Sequence, residues 1–155
     1  IAYGHSHAVP QNEDHVLPIG KACIRRAGKD VTLTAFSLQV KYAMEAAEKL
    51  HHEHGIDVEV IDLLTIRPLD TQTIAESVRK TNRLVTVEEG WAFAGIGAEI
   101  AMNICETTFD YLDAQPIRVT GKDVPLPYAA NLEKLALPQV EDIITAVKTT
   151  CIGKR

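Results

Sequence analysis

What most constrains this chain is a repeated change of hydrophobic period. The β-branched runs VTLTAF, DVEVIDL and RLVTVEE begin at Val31, Asp57 and Arg83. Each is followed by a segment whose apolar residues recur at helical spacing. Strands that alternate with helices in this way predict a mostly parallel sheet with helices on both faces. Residues 21–26 and 31–36 flank Ala27–Gly28–Lys29–Asp30, where a glycine among polar neighbours signals a hairpin. These two runs are expected to pair antiparallel and to supply an antiparallel edge. Ser37 is the expected N-cap of a helix whose stripe is Val40, Ala43, Met44, Ala47 and Leu50, and Gly55 is its stop. TIRPLD reads as a loop, and Asp70 or Thr71 as the cap of TQTIAESVRK. GIGAEIAMNICE is the next helix, PIRVTG a further strand, and PQVEDIITAVKTT a final helix with Pro138 in its first turn. The expected order is β-β-α-β-α-β-α-β-loop-α.

Length and charge narrow the function classes. A chain of 155 residues suits one domain with a real core. Residues 1–18 lack periodicity and read as a linker or the end of a preceding domain. The first residue is Ile1, and the opening resembles mid-domain sequence, so the chain is expected to be a fragment of a longer protein. The net charge of −5 argues against nucleic acid or an anionic membrane as the main partner. No apolar run reaches the roughly 18 residues of a membrane span. Cys23, Cys105 and Cys151 are odd in number and widely spaced, which fits reduced thiols better than disulfides or structural zinc.

The stretch RLVTVEEGWAFAGIGAEIAMNI places two acids, an indole and three glycines between a strand and a helix. It does not match a dinucleotide fingerprint, because Ile100 stands where that pattern needs Gly or Ala. Glu88 and Glu89 would also repel a phosphate. Neighbours on a strand face opposite ways, so the two acids are not expected to share one site. One of them is expected to pair with a base such as Arg67 while the other is solvated. Trp91 and Phe93 exceed the needs of a tight turn and suggest contact with another domain or subunit, or packing over the sheet end. His51, His52 and His54 crowd one helix end without an HExxH pattern, and His5 and His7 alternate in an extended segment. Neither set makes a metal site by spacing alone. Cys105 is expected in the core. No complete catalytic constellation is found. TGKDVPLPYAANLEKLALP is too apolar for a free linker and must pack on this domain or on a partner.

LPIGKA, TIRPLD, VTVEEGW, FDYLDA and TGKDVPLPYAANLEKLALPQVEDI together resemble the beta subunits of the thiamine-dependent decarboxylating component of pyruvate dehydrogenase complexes, in their C-terminal, transketolase-C-like domain. The resemblance implies a three-layer, doubly wound α/β domain with a mixed, mostly parallel five-stranded sheet over residues 16–155. Residues 1–15 would be the tail of the preceding pyrimidine-binding domain and linker. It implies oxidative decarboxylation of pyruvate and acetylation of a lipoyl group by a heterotetramer of two alpha and two beta subunits. Thiamine diphosphate and magnesium would be held outside this fragment, and no catalytic residue is carried over to it. The isolated fragment is expected to be inactive. The domain would pack against a second beta subunit and the alpha subunit. It would also dock the peripheral subunit-binding domain of the dihydrolipoyl acetyltransferase. Asp113, in YLDA, matches the family's acidic docking position, and a basic partner suits the negative charge. Arg67, Glu88, Glu89, Trp91 and Phe93 are the expected subunit or domain interface. The compartment would be the bacterial cytoplasm, or the mitochondrial matrix in a eukaryote. Departures from the family pattern are Gln115 after the docking acid, Ala92 where proline is common, and the basic ending CIGKR. The alternatives are the same domain of a branched-chain 2-oxoacid or acetoin dehydrogenase, a transketolase-like synthase, or a stand-alone interaction module.

Overall fold

A computed structural model describes residues 8, 9, 11 and 16–151. His5, His7 and the CIGKR ending beyond Cys151 lie outside them. The elements run β1 (Cys23–Arg26), β2 (Val31–Ala35), α1 (Leu38–His54), β3 (Val58–Asp62), α2 (Thr71–Thr81), β4 (Leu84–Trp91), α3 (Ile96–Thr108), β5 (Ile117–Gly121), α4 (Ala130–Ala136) and α5 (Val140–Cys151). They form one mixed five-stranded sheet in the order β1-β3-β2-β4-β5. β2, β3, β4 and β5 are parallel and β1 is the antiparallel edge.

Strand alternation sorts the side chains into two layers. Val31, Leu33, Val58, Val60, Val85 and Val87 face α1 and α5, where Ala43, Ala47, Leu50, Ile143 and Val147 meet them. The opposite face carries α2 and α3 and is half polar. There Leu63, Ile74, Val78, Leu84, Ile100 and Ile104 form a second apolar cluster. Beside it, Thr32 shares short hydroxyl contacts with Ser77 and Thr81, at 2.6 and 2.7 Å. Glu59 is also buried on that face and pairs with Lys80. Burial pushes the Glu59 carboxyl up, but Lys80, the Ser77 hydroxyl and the Gly28 N–H outweigh it and hold the group below its ordinary range.

The expected hairpin is corrected. β1 and β2 run antiparallel, yet β3 lies between them and pairs with both. The connector crosses the start of β3, where the Lys29 and Asp30 N–H groups donate to the Asp57 carbonyl at 3.0 and 2.9 Å. Gly28 serves this crossing, because a Cβ there would collide with the backbone of Val58 and Glu59. The glycine signal marks a close approach rather than a tight turn. Ser37 stands at the start of α1 with φ 56°, but its side chain makes no capping bond. Gly55 does end α1 in the left-handed conformation, with its N–H donating to the His51 carbonyl and the next N–H, of Ile56, to that of Leu50, both at 3.1 Å. Asp70 caps α2 by accepting from the Thr73 N–H at 3.2 Å. Pro138 precedes α5 instead of entering its first turn. α4 is a seven-residue helix, longer than one turn, inside the proline-rich connection.

Candidate functional site

The carboxyl ends of the parallel strands carry the glycine-rich stretch. Glu88 lies near the end of β4 and is 4% exposed. One carboxylate oxygen accepts the Ile96 N–H at 3.0 Å and the other the Gly97 N–H at 2.9 Å. These are orphan donors of the first turn of α3, so a full negative charge sits at the positive end of a helix. Gly95 and Gly97 are required by this acid: a Cβ on Gly95 would come within 2.5 and 2.7 Å of its two oxygens, and one on Gly97 within 2.8 Å. The expected pairing of an acid with Arg67 is therefore corrected. Arg67 is exposed, in a loop with a cis Arg67–Pro68 peptide, and makes no ion pair among the described residues. The backbone amides satisfy Glu88 instead. Glu89 faces the other way, half-buried, as strand alternation requires.

Glu88 anchors one side of the loop that carries the aromatics, and Arg118 on β5 donates to the Ala92 carbonyl at 2.7 Å on the other. Ala94 completes the turn with φ 57°. The side chains so presented are not covered: Trp91 is 52% and Phe93 87% exposed. Leu64 and Ile66, which follow β3, are also exposed at this end of the sheet. Further apolar surface lies on the 122–138 connection, where Val124, Leu126, Tyr128, Leu132 and Leu135 stand out from the domain. Its ends are tied down, since the Lys122 N–H donates to the Ala136 carbonyl at 2.8 Å.

The amino ends of the strands are built differently. Arg83, at the start of β4, is 5% exposed. Its Nε donates to the Thr150 carbonyl at 3.0 Å, and Nη1 reaches the carbonyls of Asp30 and Thr81 at 3.4 and 3.5 Å. Nη2 donates to Asp113 Oδ2 at 2.8 Å. The Asp113 side chain is still 56% exposed. Its backbone N–H donates to the Asn82 carbonyl at 2.9 Å. Sequence reasoning singled out Asp113 and missed Arg83. The available signal was an arginine at the head of an otherwise apolar strand run.

The remaining candidates stay apart. His51, His52 and His54 sit in the last turn of α1 beside Asp57, Glu48 and Glu53 respectively. No group of three or more potential ligands that could hold a metal ion occurs among the described residues. Cys23, Cys105 and Cys151 are free thiols. Cys105, expected in the core, is only half-buried, flanking the Ile100–Ile104 stripe of α3.

Comparison with known proteins agrees with this architecture. The family described as transketolase, C-terminal domain, matches residues 20–143. The chain is 57% identical over 151 residues to the pyruvate dehydrogenase E1 component subunit beta of Rhizobium meliloti, covering 97% of this chain and 33% of that protein. It is 59% identical to the subunit of that name from Rickettsia felis, covering 46% of it. It is 57% identical to the mitochondrial subunit beta-1 of Oryza sativa, covering 41% of it. The chain thus spans a third to a half of these relatives. A solved structure titled split gene transketolase, inactive beta4 tetramer, superposes with a TM-score of 0.78 at 29% identity, over 95% of this chain and 47% of that one.

Proposed function

Because the chain belongs to the transketolase C-terminal domain family, we propose that it is the C-terminal assembly and docking domain of a pyruvate dehydrogenase beta subunit. Residues 16–155 are that domain and residues 1–15 the tail of the pyrimidine-binding domain before it. The observation that carries the reading is the use of Glu88. In parallel α/β sheets, ligands approach the strand carboxyl ends and anions favour helix N-termini. Here the first amides of α3 are spent on the protein's own buried carboxylate. A diphosphate at the start of α3 would meet amides already taken and a negative charge beside them, so this helix start does not fit thiamine diphosphate. Cofactor and magnesium belong elsewhere in the assembled enzyme, which decarboxylates pyruvate oxidatively and acetylates a lipoyl group. The same end instead presents Trp91 and Phe93, residue types that anchor protein interfaces. Contact with the alpha subunit and a second beta subunit falls to this surface, with Arg67 and Glu89 at its rim. Glu88 contributes from inside, by holding the loop.

Docking of the peripheral subunit-binding domain of the acetyltransferase falls to the opposite end, around the exposed carboxylate of Asp113. The identities favour the pyruvate enzyme over its branched-chain and acetoin relatives. A bacterial cytoplasm or a mitochondrial matrix is the compartment this reading implies, and relatives of both kinds, bacterial and mitochondrial, support it. The test is Trp91→Ala with Phe93→Ala in the full-length subunit, co-assembled with its alpha partner. Sedimentation should show the assembly dissociating at concentrations where wild type is intact, with decarboxylation per assembled particle preserved. Intact assemblies that have lost decarboxylation would refute the reading.

A further inference from the structure

Arg83 is a buried cation with a single anionic partner among the described residues, and that partner lies at the surface. A guanidinium withdrawn from water is costly unless its donors and its charge are met. Three carbonyls, from Asp30, Thr81 and Thr150, meet donors only. The charge is met by Asp113, whose side chain keeps more than half of its surface exposed. Consecutive residues thus pin this one acid twice, Asn82 through its backbone N–H and Arg83 through its carboxylate. The Asn82 amide also donates to the Tyr111 carbonyl at 2.8 Å, which fixes the chain just before it. The backbone bonds alone would place the loop. The side-chain bond adds a fixed carboxylate direction, joined through Arg83 Nε to the last turn of α5.

We propose that Arg83 is the positioning residue of the docking face: it holds the Asp113 carboxylate in one orientation, locked to the end of α5, so that a basic partner domain meets a preset acid. The proposal rests on the docking reading of Asp113 and adds the residue that makes it effective. Two effects of Arg83 oppose each other. Its charge offsets part of the attraction Asp113 exerts on a cation, while its geometry removes the ordering cost of a surface carboxylate on binding. Asp113 keeps more than half of its side chain in water, which screens the charge effect, so the geometric effect is the one proposed to dominate. Arg83 therefore strengthens docking despite having the wrong sign of charge.

The test uses the full-length subunit in its assembled enzyme and the recombinant basic subunit-binding domain of the acetyltransferase as probe. Affinity and dissociation rate are measured for wild type, Asp113→Asn, Arg83→Met, Arg83→Lys and the Arg83→Met, Asp113→Asn pair, at two salt concentrations. Asp113→Asn should weaken binding about tenfold and flatten its salt dependence. Arg83→Met should weaken it about fivefold, mainly through faster dissociation, with the salt dependence kept. It should add nothing once Asp113 is already Asn. Arg83→Lys, which keeps the charge but not the forked geometry, should fall between and serves alone if the methionine variant does not fold. Tighter or unchanged binding in Arg83→Met or Arg83→Lys, with Asp113→Asn still weakened, would overturn the positioning role alone. Unchanged binding in Asp113→Asn would overturn the docking reading beneath it.

Discussion

Glu88 at one end of the sheet and Arg83 at the other are both buried charges that collect backbone groups from other elements, and they are spent in opposite ways. At the carboxyl end, Glu88 gives both oxygens to the amides of Ile96 and Gly97. Its charge is used up inside the domain, and the loop it anchors presents an apolar surface. At the amino end, Arg83 ties three carbonyls together and passes its last bond to Asp113, which remains exposed. There the buried charge organises a charged surface. The contrast teaches that a buried ion need not mark chemistry. On the proposed reading it is the fixture behind an interface, and what it leaves at the surface tells which kind.

The largest effect that would sharpen this contrast is loss of the anionic fixture. Glu88→Ala strands two amides at the start of α3 and should cost the 155-residue chain about 3 kcal/mol in urea unfolding. A cost below about 1 kcal/mol would mean that water replaces the carboxylate and that Glu88 is not the anchor. Gly97→Ala probes the same fixture from outside. The added methyl would meet Glu88 Oε1 at 2.8 Å and Thr86, and should cost about 2 kcal/mol. Gly55→Ala is the control: its Cβ meets nothing within 4 Å, so only φ 64° opposes it, at about 1 kcal/mol.

These glycines show where sequence pattern was legible and where it was not. The period of the strands and helices predicted the layers, because burial dictates it locally. Gly55 was legible as a helix stop because its role depends only on its own backbone. Gly28, Gly95 and Gly97 were not, since their need is set by atoms far along the chain: the Glu59 backbone for Gly28 and the Glu88 carboxylate for the others. The β1–β2 hairpin failed for a related reason. Local signals give strand direction, but which strand inserts between two neighbours is decided by later segments. Asp113 was singled out only through family resemblance, and its partner Arg83, thirty residues away, only through the fold.

A smaller effect separates a cap from these fixtures. Asp70 accepts from the Ala22 N–H at 3.0 Å and from the Thr73 N–H and hydroxyl. Burial raises its carboxyl, but these donors and Lys21 outweigh it and hold the group below its ordinary value. A depressed folded value means that the charged form stabilises the fold above the unfolded value, roughly pH 4, and that this is lost as pH falls through the folded one. Asp70→Asn should therefore cost about 1 kcal/mol at neutral pH, with the gap to wild type closing below pH 4. A gap that stays constant with pH would show that the charge contributes nothing. Smallest of all, Trp91→Ala and Phe93→Ala should change the stability of the isolated chain by under about 0.5 kcal/mol. A larger loss would make the aromatics part of the core and remove the reason to assign them to a partner.

The most direct test of the division between the two ends is a crossed experiment on the full-length assembled enzyme. Sedimentation would report subunit association and calorimetry the docking of the basic subunit-binding domain, for Trp91→Ala with Phe93→Ala on one hand and Asp113→Asn on the other. The account predicts a clean crossing: the aromatic pair loses assembly, while the Asp113 variant stays assembled and loses docking. Asp113→Asn dissociating the subunits, or the aromatic variants assembling normally, would contradict it.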